Sequence, residues 1–164
     1  MLSYWTPEGD LTQIRDILVG FAGYLPESLR GSAEAILNDP LGYEGEITFA
    51  VLYRSPVALY IIEKSKKSAE IHGVAHPELP GVLVHEVGKR CLEDVFFKYG
   101  KRKAVAKVPA DAKGAVGFLW KWGFRPVRVE GRKQTDGGDF VYTLPREKFL
   151  KRYVRFGQKE GEKG

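Results

Sequence analysis

Cysteine is almost absent from this chain of 164 residues, in which Cys91 is the only one. A lone cysteine excludes an intrachain disulfide and any zinc site built from several cysteines. Such sparse cysteine is typical of a reducing compartment, so we expect a cytoplasmic protein. Because Cys91 lies on the apolar stripe of a predicted helix, we expect it to pack in the core rather than act as a nucleophile.

Long hydrophobic runs and several catalytic motifs are also lacking. No stretch approaches the roughly 20 apolar residues of a membrane span, and the first residues do not resemble an export signal. The sequence has no Gly-x-Ser-x-Gly elbow, no Gly-x-Gly-x-x-Gly phrase and no P-loop, and His85-Glu86 lacks a second histidine at the required spacing. These absences argue against serine hydrolases, kinases, dinucleotide-binding enzymes and zinc proteases.

Positive charge is in excess, and the excess is localised. The net charge is +5, from 26 Lys and Arg against 21 Asp and Glu. Residues 145–164 hold seven cations and three acids, whereas residues 1–144 hold nineteen cations and eighteen acids. Within the domain, 98–133 carry eleven cations against two acids. This pattern permits a nucleic-acid partner, which we rank behind protein partners.

Hydrophobic periodicity predicts a mixed α/β (α+β) domain with element order β-α-α-β-β-β-α-β-α-β-β. Two helices are expected within 10–39, a long helix over 84–99 and another over 112–122. The predicted strands after the short N-terminal one are 47–54, 57–63, 69–76, 104–108, 124–129 and 139–144. A helical crossover joins 69–76 to 104–108, so these strands should be parallel in a mostly antiparallel sheet with helices on both faces.

The C-terminal residues divide into a basic amphipathic helix, 145–156, and a tail, 157–164, that we expect to be disordered. The helix can dock on its own domain, a partner subunit, nucleic acid or an anionic membrane face, and we favour protein. If it is an appended anchor, the domain 1–144 should fold without it. In the preceding helix, we expect Trp120 in the core and Trp122 at its edge.

Two phrases carry a family resemblance: AEIHGVAHPELPG at 69–81 and VPADAKGAVGFLWKWGF at 108–124. Together with the element order over 2–144, they resemble the GCN5-related N-acetyltransferase superfamily, and the Gly123-Phe124 ending is the sharpest part. The phrases also resemble superfamily-like proteins encoded by bacteriophages, some associated with particle assembly. For such a protein the location would be the host cytoplasm or the virion.

The resemblance implies acetyl-CoA as cofactor and a small-molecule or protein amine as acceptor. The resemblance assigns to the cofactor the backbone of Val74, Ala75, His76, Gly81 and Val82 and the side chain of Lys113. Two family features are missing. Pro80, Leu83 and His85 replace the usual Arg or Gln and small residues of the phosphate cradle, and Leu119 replaces a tyrosine that often protonates the leaving thiolate.

Glu70, His72 and His76 are the candidate catalytic bases, since alternation along one strand places them on the same face of the sheet. A glutamate or a neutral histidine can take the proton that an amine loses during acyl transfer. We rank Glu70 ahead of His76. Alternatively, Glu70 pairs with one of 64–67 or with a neighbouring strand, and His76 only occupies a turn. Metal ligation by His72 and His76 is the weakest interpretation.

Three functions remain open from the sequence. The first is acyl-CoA-dependent N-acyl transfer to an amine. The second is a catalytically inactive binding or assembly protein of the same fold, which docks as a homo-oligomer or in a larger complex through 145–156. The third is nucleic-acid binding through 98–133.

Overall fold

The computed structural model describes residues 2–6, 16–17, 19–20, 45–109, 113–136 and 138–162. The chain forms two compact units, the first comprising Met1–Lys64 and Ile71–Glu93, the second Ser65–Glu70 and Asp94–Gly164. The two helices predicted within 10–39 lie outside the described residues, except that 16–17 and 19–20 are helical. The predicted helix cap at Asp111 lies outside them as well.

The elements of the described part follow the predicted order. The strands are β1 (Ser3–Trp5), β2 (Glu46–Leu52), β3 (Ser55–Lys64), β4 (Ser68–Ala75), β5 (Lys103–Pro109), β6 (Arg125–Pro126), β7 (Arg128–Val129), β8 (Arg132–Lys133), β9 (Thr135–Asp136) and β10 (Asp139–Pro145). The helices are α1 (Gly81–Glu93), α2 (Lys113–Trp122) and α3 (Arg146–Glu162), and a π-helical turn, Asp94–Lys98, follows α1. None of the described helices is long and apolar enough to cross a membrane.

In the first unit the strand order is β1-β2-β3-β4, with β2 antiparallel to both β1 and β3. The turn between β2 and β3 is formed by Tyr53 and Arg54, which have φ angles of 51° and 66°. Positive φ at both central residues is typical of a type I′ hairpin turn. The predicted strands 47–54 and 57–63 place this turn at 55–56, which is wrong because no glycine or asparagine marks the true position. Pro56 is instead accommodated at a register shift beside Val51.

In the second unit the order is β4-β5-β10-β6, and β10 is antiparallel to β5, β6 and β9. The Arg102 N–H donates to the Lys67 carbonyl, and further along the Lys107 side chain contacts Glu70. Residue numbers increase in the same direction along both strands from the first contact to the second, so β4 and β5 are parallel here, as the crossover predicted. The predicted strand 124–129 is divided into β6 and β7, and between them the Val127 N–H donates to the Val141 carbonyl of β10. The predicted mixed, mostly antiparallel fold is confirmed.

Helix α2 ends in a Schellman motif at the Gly-Phe phrase. Gly123 has φ 96°, its N–H donates to the Trp120 carbonyl, and the Phe124 N–H donates to the Leu119 carbonyl. Phe124 is fully buried. Helical phase then buries Leu119 and Trp122, whereas Trp120 is 44% exposed. Our assignment of Trp120 to the core and Trp122 to the edge was therefore wrong.

Helix α3 packs on its own unit through Phe149, which is fully buried. Its ring stacks on Phe96 and Trp122, with centroids 4.7 and 5.6 Å away. The π-helical turn contributes Phe96 and Phe97, and both rings contact that of Phe149. The expectation that the domain folds without residues after Pro145 conflicts with this burial.

Two arginines of α3 donate to backbone carbonyls of the same unit. Arg146 Nη1 lies 3.0 Å from the Phe96 carbonyl oxygen, and Arg152 Nη1 lies 3.0 Å from that of Lys121, in the last turn of α2. A cation there complements the helix dipole. The helix continues to Glu162 rather than ending near 156, so the predicted disordered tail is shortened. Glutamine, lysine and glutamate, which favour helices, supply most of the added turns.

We predict that Phe149→Ala lowers the free energy of unfolding by about 3–5 kcal/mol, because it leaves a cavity between three aromatic rings. Urea denaturation measures the change. The matched control on the same helix is Val154→Ala, at a position 56% exposed, which should change stability by less than about 0.5 kcal/mol. Equal losses for the two variants would contradict the assignment of Phe149 to the core.

Candidate active site

Strand β4 leads through a short turn into α1, and backbone hydrogen bonds hold this connection within the first unit. The His76 N–H donates to the Val57 carbonyl of β3 at 2.8 Å, and the Leu79 N–H donates to the His76 carbonyl at 2.9 Å. Leu79 itself is buried. The end of β4 and the start of α1 are therefore fixed relative to each other, as a ligand site at a strand terminus requires.

The N-terminus of α1 leaves two backbone donors available by helix geometry. The Pro80 carbonyl accepts from Leu83 N–H at 2.9 Å and Val84 N–H at 3.1 Å, so Pro80 is the N-cap. Gly81 and Val82 supply the first two N–H groups, which have no acceptor within an α-helix. A Cβ added at Gly81 would meet nothing within 4 Å. An anion can thus approach this backbone closely.

These features bear on whether the chain fits the phosphates of acetyl-CoA. The fit is partial. Pro80 contributes no N–H, but the backbone at Gly81 is open, and the N–H groups of Gly81 and Val82 can donate to a phosphate. Leu83 and His85, the two larger residues of the cradle, are half-buried. Lys113 begins α2, and its side chain lies outside the described residues.

The hydrogen bond from the His76 N–H to β3 indicates which backbone N–H of β4 is directed so that it can donate to an acyl carbonyl oxygen. Successive N–H groups of a strand point to opposite sides. Because the His76 N–H is directed to β3, that of Val74 shares its direction and that of Ala75 points away from β3. Of the three backbone positions that the sequence assigned to the cofactor, Ala75 is the one whose N–H does not face β3.

Glu70 is paired with a lysine in the second unit. Lys107 Nζ lies 3.0 Å from Glu70 Oε1 and 2.7 Å from Asp136 Oδ2. The hydrogen bonds to Asp136 and Glu70 raise the pKa of Lys107 above its ordinary value, although partial burial opposes the shift. Glu70 therefore pairs with a neighbouring strand, one of the alternatives that the sequence left open.

His72 lies beside a carboxylate that sequence reasoning missed. Its Nε2 is 3.0 Å from Glu63 Oε1 at the end of β3, and the histidine side chain is only 9% exposed. The contact is close in distance but is not an aligned hydrogen bond. Glu63 gave no signal in sequence, because its pairing with His72 depends on the register of β3 against β4.

His76 uses a ring nitrogen within its own turn. The Glu78 N–H donates to His76 Nδ1 at 3.2 Å. A neutral ring that accepts at Nδ1 carries its proton on Nε2. His76 would have to give up this hydrogen bond before Nδ1 could take a proton. The structure also places His76 beyond the end of β4, in the turn that the alternative interpretation described.

The strand order, the crossover and the capped α2 together form the fold of the GCN5-related N-acetyltransferase superfamily, as the resemblance predicted. Among solved structures, mutant forms of the spermidine/spermine N-acetyltransferase SpeG from Vibrio cholerae match with TM-score 0.66 and 18% identity, covering 93% of this chain and 98% of that one. A dodecameric SpeG structure matches with TM-score 0.66 and 17% identity, covering 92% and 97%. No protein-family model and no curated protein matches the sequence.

We predict that Lys107→Met lowers stability by about 1 kcal/mol at neutral pH, because it leaves Glu70 and Asp136 without their shared cation. A raised pKa in the folded state means that the pairing stabilises fully below 10.5 and is lost as the pH rises through the raised value. Denaturation of both proteins at neutral and strongly alkaline pH measures this difference, which should vanish at the higher pH.

The matched control is Lys103→Met, an exposed lysine on the same strand. It should leave stability nearly unchanged at both pH values. A Lys107 effect that persists in strong alkali would show that packing, rather than charge pairing, stabilises this position.

Proposed function

We propose that the protein is an N-acyltransferase that moves an acetyl group from acetyl-CoA to an amine. The observation that carries this proposal is the shared fold with SpeG N-acetyltransferases over 93% of the chain. The geometry of β4 and α1 supports it. The comparisons give no support to the alternative of an inactive assembly protein, since the neighbours described above are N-acetyltransferases.

Acetyl-CoA, when bound, supplies an acyl group activated as a thioester. In this proposal the Gly81 and Val82 N–H groups bind phosphate at the helix N-terminus, where the dipole favours negative charge. The Ala75 N–H, directed away from β3, donates to the acyl carbonyl oxygen. Such a donor stabilises the negative charge that develops on that oxygen during attack by an amine.

We assign the general base to His72, with Glu63 as its positioning residue. The amine nitrogen must lose a proton as its bond to the acyl carbon forms and the thioester C–S bond breaks. His72 takes that proton directly or through a water molecule, and CoA leaves as a thiolate that is protonated from solvent. The Glu63 carboxylate, 3.0 Å from Nε2, then lies beside a positively charged ring. Glu70 and His76 rank lower, because Glu70 is paired with Lys107 and His76 Nδ1 already accepts a hydrogen bond.

The acceptor in this proposal is a small polyamine, since the neighbours are described as spermidine and spermine N-acetyltransferases. Spermidine is accordingly the first substrate to test, followed by lysine-containing peptides. One neighbour is dodecameric, and we propose that this chain also self-associates.

Isothermal titration calorimetry and thermal denaturation with acetyl-CoA test the binding step. We expect saturable heat and a rise in melting temperature that grows with ligand concentration, because the ligand binds the folded state. Neither heat nor a thermal shift at millimolar acetyl-CoA would contradict the proposed function.

For the chemical step, release of free CoA thiol in the presence of spermidine measures turnover. His72→Gln should lower kcat by about 10²–10⁴-fold with little change in acetyl-CoA affinity, since it removes the base but not the binding groups. Glu63→Gln should lower kcat less and change the pH profile. Glu86→Gln, at an exposed position on α1, is the control. A larger loss of kcat for Glu70→Gln than for His72→Gln would overturn the assignment of the base.

A further inference from the structure

A strongly basic surface lies on the second unit and contains none of the residues assigned above to acyl transfer. We call residues 125–133 the basic hairpin; it contains β7 and β8 and holds four cations, Arg125, Arg128, Arg132 and Lys133, against one acid, Glu130. All four residues of strands β7 and β8 are exposed. The turn between them has positive φ at Glu130 and Gly131, 53° and 77°, typical of a tight type I′ turn.

The cations of the basic hairpin are not neutralised within the described part of the chain. No described carboxylate lies within ion-pair distance of any of them. Asp136, the next acid along the chain, is paired with Lys107 at 2.7 Å. Arg128 and Lys133 are direct partners in the β7–β8 ladder, and like charges in that position repel. An anionic partner would relieve this repulsion.

Aromatic rings accompany the charges. The Arg125 guanidinium lies 4.1 Å from the centroid of the Trp120 ring, and Lys133 Nζ lies 5.0 Å from that of Phe140. Trp120 is 44% exposed, although Leu119 and Trp122 of the same helix are buried. A large exposed indole beside a guanidinium is the type of platform on which an unpaired base stacks.

We propose that the basic hairpin and Trp120 form a binding surface for single-stranded nucleic acid. The four cations contact backbone phosphates, and the exposed indole stacks on a base. A duplex fits less well, because its base faces are covered by their neighbours.

Fluorescence anisotropy with a labelled oligouridylate of about 16 nucleotides tests the proposal on the full chain. About four phosphate contacts to a single strand give a slope of log affinity against log salt near −3, or about a 50-fold loss between 50 and 200 mM salt. No binding at 50 mM salt, or binding that does not respond to salt, would overturn it.

Variants separate this surface from general positive charge. Arg128→Ala with Lys133→Ala should weaken binding and reduce the steepness of the salt slope by about 1.4. Lys148→Ala with Lys151→Ala removes the same charge from exposed positions of α3 and should have little effect. An equal loss from both pairs would overturn the assignment. Circular dichroism and thermal denaturation confirm that each variant is folded.

The stacking contact is tested at Trp120. Trp120→Ala should weaken binding about tenfold, and Trp120→Phe should recover most of the loss. A duplex of the same length should bind less tightly and should not respond to Trp120→Ala. Equal affinity for duplex and single strand, or displacement of the oligonucleotide by excess acetyl-CoA, would contradict a separate single-strand surface.

Discussion

The alternation of strand β4 is the constraint on which the proposed chemistry depends. Side chains two residues apart share a face, so Glu70, His72 and His76 form one series. The same period governs the backbone, where the hydrogen bond from the His76 N–H to Val57 leaves the Ala75 N–H directed away from β3. A shift of one residue in the pairing of β4 would reverse both assignments. The register against β3 therefore fixes the proposed base and the proposed donor to the acyl carbonyl together.

Charge pairing then distinguishes residues that the alternation alone treats as equivalent. Glu70 shares Lys107 with Asp136, and His72 lies beside Glu63. In the proposed function this difference in partners places His72 ahead of Glu70, which the sequence analysis ranked first.

The sequence predicted the features that depend on local chemistry. Hydrophobic periodicity identified the strands around β4 and the helices α1 and α2, and the Gly-Phe phrase corresponds to a Schellman motif at Gly123. The turn at Tyr53 and Arg54 was missed, because neither residue type signals positive φ. The burial of Trp122 rather than Trp120 depends on the phase of a short helix, which shifts by 100° with each residue. Glu63, Lys107 and Asp136 could not be assigned, since their partners are distant in sequence and brought together by strand pairing.

The positive charge of the chain also acquires a different meaning in the structure. By composition the excess belongs to residues 145–164, which suggested an appended anchor. In α3, however, Arg146 and Arg152 donate to carbonyls of the same unit, and Phe149 is part of its core. These side chains already make contacts within the chain, so the helix is part of the fold. Arg125 and Arg128 of the basic hairpin also donate to carbonyls. The cations of the hairpin nevertheless have no acidic partner among the described residues, and Arg128 stands opposite Lys133 across a ladder. Charge by segment identified both 145–164 and 98–133 as basic, and the balance of contacts indicates where within 98–133 an anion would be stabilised.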